Sequence, residues 1–150
     1  MAAVKPIPEG YHSVTPFLVV NGAAKQIDFI KQAFGAQELT RMDGPGGTVA
    51  HAEVKLGDSR IMISEAGAQA GPVQTMLYLY VPDADAVYRK AVQAGATSVQ
   101  EPKDQFYGDR NAAVRDAAGN QWWIATRKEE VSREELQKRM ASMQHQRASG

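Results

Sequence analysis

The sequence of 150 residues contains no cysteine. This absence excludes disulfide bonds, thiolate metal sites and a thiol nucleophile, and it is consistent with a reducing compartment. Net charge is missing as well, because 17 basic residues balance 17 acidic residues. No stripe of Lys and Arg follows any one predicted element, so the surface has no field that would concentrate a polyanion. We therefore expect no nucleic-acid partner.

Long apolar runs and targeting signals are also absent. No apolar stretch approaches the roughly 20 residues that a membrane span needs, and the N-terminal residues lack the basic-then-apolar order of a signal peptide. We expect a cytoplasmic protein without a membrane partner. With 43% hydrophobic and 23% charged residues, the chain has an ordinary globular composition and is long enough to bury one core.

What the sequence does contain is an internal repeat. One β-hairpin is predicted around the turn Gly57-Asp58, with strands over 50–56 and 59–64, and a second over 107–127 around a turn at 116–120. Each hairpin follows a strand, a polar turn and an amphipathic helix that ends at Gly-Ala. Glycine just past a helix end is a common stop signal. The chain is therefore predicted to be a duplicated βαβββ unit with a tail, in the α+β class.

The repeat fixes the predicted boundaries. Residues 1–12 form an irregular leader, and a single domain covers 13–130, with repeat 1 over about 13–66 and repeat 2 over about 75–127. The remaining predicted elements are strands at 13–20, 37–43, 76–81 and 97–100, helices at 23–34 and 84–94, and a loop at 101–108. Residues 131–150 form a C-terminal helix and tail. The spacing of Ser132 and Glu135 is that of a capping box, and the helix should run to about residue 144.

Alternation along the predicted strands separates two faces of the sheets. The apolar face should lie against the helices; its members are Ala50, Ala52, Val54, Leu56, Ile61, Ile63, Leu77, Leu79, Val81, Ala112, Val114, Trp122 and Ile124. We call the opposite face the mixed face; its members are Thr15, Phe17, Val19, His51, Glu53, Lys55, Arg60, Met62, Ser64, Met76, Tyr78, Tyr80, Asn111, Ala113, Arg115, Gln121, Trp123 and Ala125. Polar groups beside large rings indicate a ligand cleft better than a solvated surface.

The doubled βαβββ plan, with the segments TPFLVV, QAFGA, HAEVKLGDSRIMISE and GDRNAAVRDAAGNQWWIATR, resembles the vicinal oxygen chelate superfamily. This superfamily comprises glyoxalase, bleomycin-resistance and dioxygenase proteins, and the chain looks closest to its PhnB-like branch. The resemblance runs from about Ser13 to the start of the tail helix. It implies two modules that form an incomplete barrel around a cleft, and a homodimer. A shared fold does not by itself imply a reaction.

Metal-dependent members of that superfamily hold a divalent ion through His, Gln or Glu side chains on four strands. The matching positions here are Thr15, the neighbourhood of Met62, Met76 and Trp123, and none of these side chains suits a hard ion. A register shift of one residue would add only Glu65 as a donor. We therefore predict no metal and no other cofactor, with a divalent metal as the alternative.

The first functional interpretation is a binding protein that holds a small organic molecule in its cleft. The predicted ligand-binding residues are Thr15, Phe17, Met62, Met76, Tyr78, Tyr107, Arg110 and Trp123. The rings could equally close the cleft and leave a domain that serves in protein interactions. Arg110 suits a clamp for a carboxylate or phosphate, or a salt bridge to Asp109, Asp116 or Glu101.

The second interpretation is a lyase or isomerase that acts on a small oxygenated or carboxylate substrate. His51 would be its general base, oriented by Glu53 two residues along the same strand face. The same pair also fits ordinary cross-strand polar contacts beside Lys55 and Arg60. Binding is preferred, because the four metal positions lack donors.

The tail helix, with Leu136, Met140 and Met143 at helical spacing, should dock on its own domain or on a partner subunit.

Overall fold

The computed structural model describes residues 3–149. The first repeat consists of β1 (Phe17–Val20), α1 (Ala23–Phe34), β2 (Gln37–Asp43), β3 (Val49–Leu56) and β4 (Ser59–Glu65). A short 3-10 turn, Pro45–Gly47, joins β2 to β3. The second repeat consists of β5 (Met76–Tyr80), α2 (Ala84–Gln93), β6 (Thr97–Asp104), β7 (Asp109–Arg115) and β8 (Gln121–Arg127), and α3 (Arg133–Ser149) follows.

Each repeat forms its own four-stranded sheet. The first sheet has the order β1-β4-β3-β2 and the second has the order β5-β8-β7-β6. Phe17 lies beside Met62 where β1 runs parallel to β4, and Tyr78 lies beside Trp123 where β5 runs parallel to β8. The predicted α+β duplication of a βαβββ unit is confirmed, and residues 3–149 contain no closed barrel.

The two helices cover one face of each sheet and contact each other. A single apolar core results, and it includes Leu18, Ile27, Ile30, Ile63, Trp122 and Ile124, each at most 1% exposed. The ring of Trp122 packs against Phe34 at the end of α1, with centroids 4.7 Å apart. Full burial of an aliphatic side chain contributes about 1.5 to 3 kcal/mol, so this shared core stabilises both repeats together.

The predicted separation of faces holds with one exception near the start of β3. Ala50 is exposed and Val49 is buried in its place. The cause is an irregular pairing of β2 with β3, where the register shifts between Met42 and Asp43. A bulge of this kind reverses the alternation beyond it, so the sequence pattern alone misplaces the residue.

Several element boundaries differ from the prediction. β1 begins at Phe17 rather than at residue 13, after Pro16, which has no N–H to give to a ladder. β6 continues to Asp104 through the predicted loop; it contains Pro102, which an edge strand tolerates. α2 ends at Gln93 and α3 continues to Ser149.

The start of each core helix is tied to the last strand of its own sheet. The Glu65 carboxylate accepts hydrogen bonds from the backbone N–H groups of Gly22 (2.8 Å) and Ala23 (3.1 Å) at the start of α1. In the second repeat, the Thr126 hydroxyl accepts from the N–H of Ala84 at 2.9 Å. These bonds satisfy N–H groups that have no partner within the helix.

The C-terminal helix begins as predicted, with the Ser132 hydroxyl accepting from the N–H of Glu135 at 3.1 Å. Arg139 fastens α3 to the domain, because its guanidinium donates to the carbonyl of Phe106 (2.8 Å) and to the Glu129 carboxylate (2.7 Å). From Met140 to residue 148 the side chains are exposed. No helix within residues 3–149 is apolar and long enough to cross a membrane.

Asp116 joins the two repeats from within the turn of the second hairpin. It is 5% exposed, and its carboxylate accepts from the side chains of Gln26 on α1 (2.8 Å) and Trp122 on β8 (2.9 Å). The N–H groups of Ala118 (3.0 Å) and Asn120 (2.9 Å) also donate to it. Four donors compensate the cost of burying this carboxylate.

Replacing Asp116 should therefore destabilise the whole domain. We expect Asp116→Ala to lower the free energy of unfolding by about 3 kcal/mol or more, because buried donors lose their acceptor. Asp58→Ala, in the exposed turn of the first hairpin, is the matched control and should change stability by less than about 0.5 kcal/mol. Urea unfolding followed by tryptophan fluorescence measures both, and similar losses in the two variants would contradict this role.

Candidate functional site

The mixed face of each sheet lies opposite the helices and is open in a single chain. Its exposed fractions are 49% for Phe17, 62% for Met76, 41% for Tyr78 and 56% for Tyr80. Within residues 3–149, no hydrogen bond, ion pair or ring contact joins the mixed face of the first sheet to that of the second. One chain therefore presents two separate half-sites.

On the first sheet, the His51 ring lies 5.8 Å from the ring of Phe17. Met62 is beside Phe17 in the register, and Glu53 is opposite Met62. These four predicted site residues are therefore brought together. Thr15 precedes β1 and lies outside the ladder.

Glu53 does not orient His51 in this structure. Its carboxylate accepts a hydrogen bond from the hydroxyl of Tyr11 in the leader, and the Arg60 guanidinium lies over the Tyr11 ring, 5.2 Å from its centroid. Burial and this bond to Glu53 raise the pKa of the Tyr11 hydroxyl. The leader thus covers the end of the first mixed face near Glu53.

On the second sheet, Asn111 is fully buried at the centre of a polar network. Its amide nitrogen donates to the hydroxyls of Tyr78 (2.9 Å) and Tyr107 (2.8 Å). Its amide oxygen accepts from the side chains of Gln100 and Gln105, both at 2.9 Å. Every hydrogen-bonding position of the amide is used, so Asn111 is held in one orientation.

Asp109 completes the network from the start of β7. Its side chain is 1% exposed and pairs with Arg127 at 3.0 Å. The hydroxyls of Tyr78 (2.8 Å) and Tyr80 (2.9 Å) donate to its other oxygen. Burial raises the pKa of the Tyr78 hydroxyl, and the hydrogen bond to Tyr107 raises it further, so Tyr78 stays protonated.

Arg110 is not part of this group. Its guanidinium donates in bidentate fashion to Asp85 on α2, at 2.8 and 3.0 Å, and to Asp104 at 3.3 Å. The hydrogen bonds from Arg110 to Asp85 lower the pKa of the Asp85 carboxyl. Arg110 therefore lies on the helix side of β7, and the salt-bridge interpretation fits it, although its partners differ from the three acids considered from the sequence.

The sequence interpretation missed Asp109, Asn111, Gln100 and Gln105 as members of the site. Alternation did place Asn111 on the mixed face, and it places Asp109 on the same face. The usable sequence signal was an acid and an amide at alternate positions of one strand, close to aromatic residues, whereas the charged side chain of Arg110 lies on the opposite face.

The duplication makes His51 and Asn111 counterparts. Glu53 lies opposite Met62 in the first sheet as Ala113 lies opposite Trp123 in the second. His51 and Asn111 are each two residues earlier on the equivalent strand. The first half-site therefore presents an imidazole where the second holds a fixed amide.

Comparison with known proteins decides the family. The model of the Glyoxalase/Bleomycin resistance protein/Dioxygenase superfamily matches residues 10–124. The chain belongs to this superfamily.

The chain is also similar to individual proteins of known sequence and of known structure. The chain is 35% identical over 141 residues to the uncharacterized protein Mb0911c of Mycobacterium bovis, covering 87% of this chain and 93% of that protein. The fold is similar to that of TioX from Micromonospora sp. ML1, with a TM-score of 0.64 and 24% identity over 77% of this chain and 99% of TioX. A gene product of Arabidopsis thaliana gives a TM-score of 0.60 at 25% identity, covering 77% of this chain and 98% of that one.

The metal of this superfamily does not fit the residues present. The four matching positions carry an alcohol, two thioethers and an indole, which are poor ligands for a hard divalent ion. Glu65, the donor that a register shift would add, is committed to the first N–H groups of α1. Among the described residues, no group of three or more His, Asp or Glu side chains could hold an ion.

We expect isothermal titration of the chelator-treated protein with nickel, zinc or manganese to give no stoichiometric micromolar binding. The physical reason is the lack of nitrogen and carboxylate donors at the four positions. Glu65→Gln provides a matched check, because it should lower thermal stability through α1 and leave the titrations unchanged. Micromolar binding with one ion per chain would contradict this assignment, and its loss in Glu65→Gln would identify Glu65 as a ligand.

Proposed function

We propose that this superfamily member binds a small organic molecule against its mixed faces, without a resident metal. The observation that supports this is the set of exposed rings and thioethers on the sheet faces that the helices leave uncovered. Phe17, Met76 and Tyr78 are each at least 41% exposed there. Exposed apolar groups of this size on an uncovered sheet face, beside fixed polar groups, are typical of a ligand site.

We also propose that a second copy of the chain closes the site. Each half-site is open, and the register makes the two half-sites equivalent, with Phe17 and Met62 in the places of Tyr78 and Trp123. A two-fold axis would set the first face of one copy against the second face of the other. Two equal clefts would result, each with rings from one copy and the Asn111 network from its partner.

The alternative function, a lyase or isomerase with His51 as general base, has less support. A base of this kind needs an orienting partner, and Glu53 is bonded to Tyr11 instead. We also keep the assignment to the PhnB-like branch, the cytoplasmic location and the absence of a nucleic-acid partner as predictions from the sequence.

Ligand binding can be detected through Trp123. Of the two tryptophans, Trp122 is fully buried in the core, whereas Trp123 is partly exposed on the mixed face. In a titration with neutral aromatic fragments, we expect bound fragments to change the emission of the wild-type protein, and Trp123→Phe to abolish that change. Emission from Trp122 at the short wavelength of a buried indole shows that the variant is folded. A set of fragments without effect, or an equal effect in Trp123→Phe, would contradict ligand binding at this face.

The second copy can be tested with a pair of charge substitutions. Sedimentation should give a species of twice the 16.3 kDa chain mass. Met76→Glu should raise the dissociation constant of this dimer at least tenfold, because it sets a charge in the joined mixed faces. Val92→Glu, on α2 and 40% exposed, is the control and should leave the dimer unchanged. A monomeric wild-type protein, or equal effects of the two substitutions, would contradict the proposed assembly.

A further inference from the structure

The three tyrosine hydroxyls near the second mixed face differ in whether their protons already have a close hydrogen-bond acceptor. Tyr78 and Tyr80 donate their protons to the buried Asp109 carboxylate, at 2.8 and 2.9 Å. Tyr107 accepts from the Asn111 amide at 2.8 Å, and its own proton finds only the Tyr78 oxygen, at 3.4 Å. That distance is at the limit of a hydrogen bond. Tyr107 therefore has a hydroxyl proton to give.

We infer that the Tyr107 hydroxyl is the hydrogen-bond donor that holds a neutral oxygen acceptor, such as a ketone or amide carbonyl, of a planar ligand on this face. This inference rests on the proposed binding function and names the chemical class of its ligand. The donor is strengthened by its neighbour, because a hydroxyl that accepts a hydrogen bond becomes a better donor. Asn111, which supplies that bond, is itself fixed by Gln100 and Gln105.

The position of Tyr107 is set by a tight turn. The N–H of Gln105 donates to the carbonyl of Asp109 at 2.7 Å, and the N–H of Gly108 donates to the carbonyl of Gln105 at 3.1 Å. Gly108 has a φ of +102°, and a Cβ there would lie 2.4 Å from the carbonyl oxygen of Glu129, so only glycine fits. A donor fixed in this way loses little entropy when a ligand binds.

The charges around the network favour a neutral acceptor over a carboxylate. Arg127, the cation bound to this network, is paired with Asp109 and with Glu130, at 3.0 and 3.4 Å. Arg115 lies four residues beyond Asn111 on β7, or about 13 Å away along the strand. Lys103 lies opposite Asn111 on the edge strand β6 but is exposed to solvent, which screens its charge. An anion bonded to Tyr107 would lie near the buried Asp109 carboxylate, which disfavours it.

The test compares three fluorinated probes by 19F NMR titration of the full chain. They are 4′-fluoroacetophenone, which has the acceptor, 4-fluorotoluene, which lacks it, and 4-fluorobenzoate, which is charged. We expect the ketone to bind the wild-type protein about tenfold more tightly than either of the others, as one good hydrogen bond allows. Tyr107→Phe should lower the affinity for the ketone to that for 4-fluorotoluene. Tyr88→Phe, whose hydroxyl bonds to Ser98 outside the mixed faces, should leave all three affinities unchanged.

A measurement on the wild-type protein keeps the test valid if Tyr107→Phe does not fold. With 13C at the Cζ atoms of the five tyrosines, the ketone should shift the Tyr107 resonance and 4-fluorotoluene should not. Equal binding of ketone and toluene, a tighter benzoate, or full ketone affinity in Tyr107→Phe would overturn the inference and leave the binding function standing. If none of the probes binds, the proposed binding function fails together with the inference.

Discussion

Burial of one face of each sheet beneath a shared pair of helices is the constraint on which the rest of this structure depends. α1 and α2 pack on each other, and Trp122 of the second sheet packs against Phe34 of α1. The two repeats therefore have one core. Asp116 reinforces this union through Gln26 and Trp122, because a buried carboxylate needs all of its donors in place.

A consequence of that packing is that the opposite faces of the sheets remain open. On the second sheet, the polar groups around Asn111 are nevertheless not free to bind any ligand, because they satisfy one another. Asp109 accepts from two tyrosines and from Arg127, and Asn111 uses its whole amide. What this network leaves for a ligand is the aromatic surface of Tyr78 and the hydroxyl proton of Tyr107. This inventory favours recognition by stacking and one directed hydrogen bond.

The superfamily supplies a frame whose usual metal chemistry these residues do not support. Glu65 lies near a ligand position of the first module, but its carboxylate accepts hydrogen bonds from the N–H groups at the start of α1. In the second module the same task falls to Thr126. The duplication is thus preserved in the backbone and in the capping of the helices, while the side chains on the mixed faces have diverged, with His51 in one module and Asn111 in the other.

The sequence by itself determined the duplicated βαβββ plan, the separation of core and mixed faces, and the choice of Trp122 over Trp123 for the core. These features follow from local rules: strand alternation, glycine at helix ends and turn residues between strands. Only the tertiary structure decided that Ala50 is exposed, that Arg110 pairs with Asp85, that Glu53 bonds to Tyr11, and that Asn111 is the centre of the polar network. Each of these depends on a bulge or on at least one partner that is 25 or more positions away along the chain, and the periodicity of a single strand carries no information about such partners.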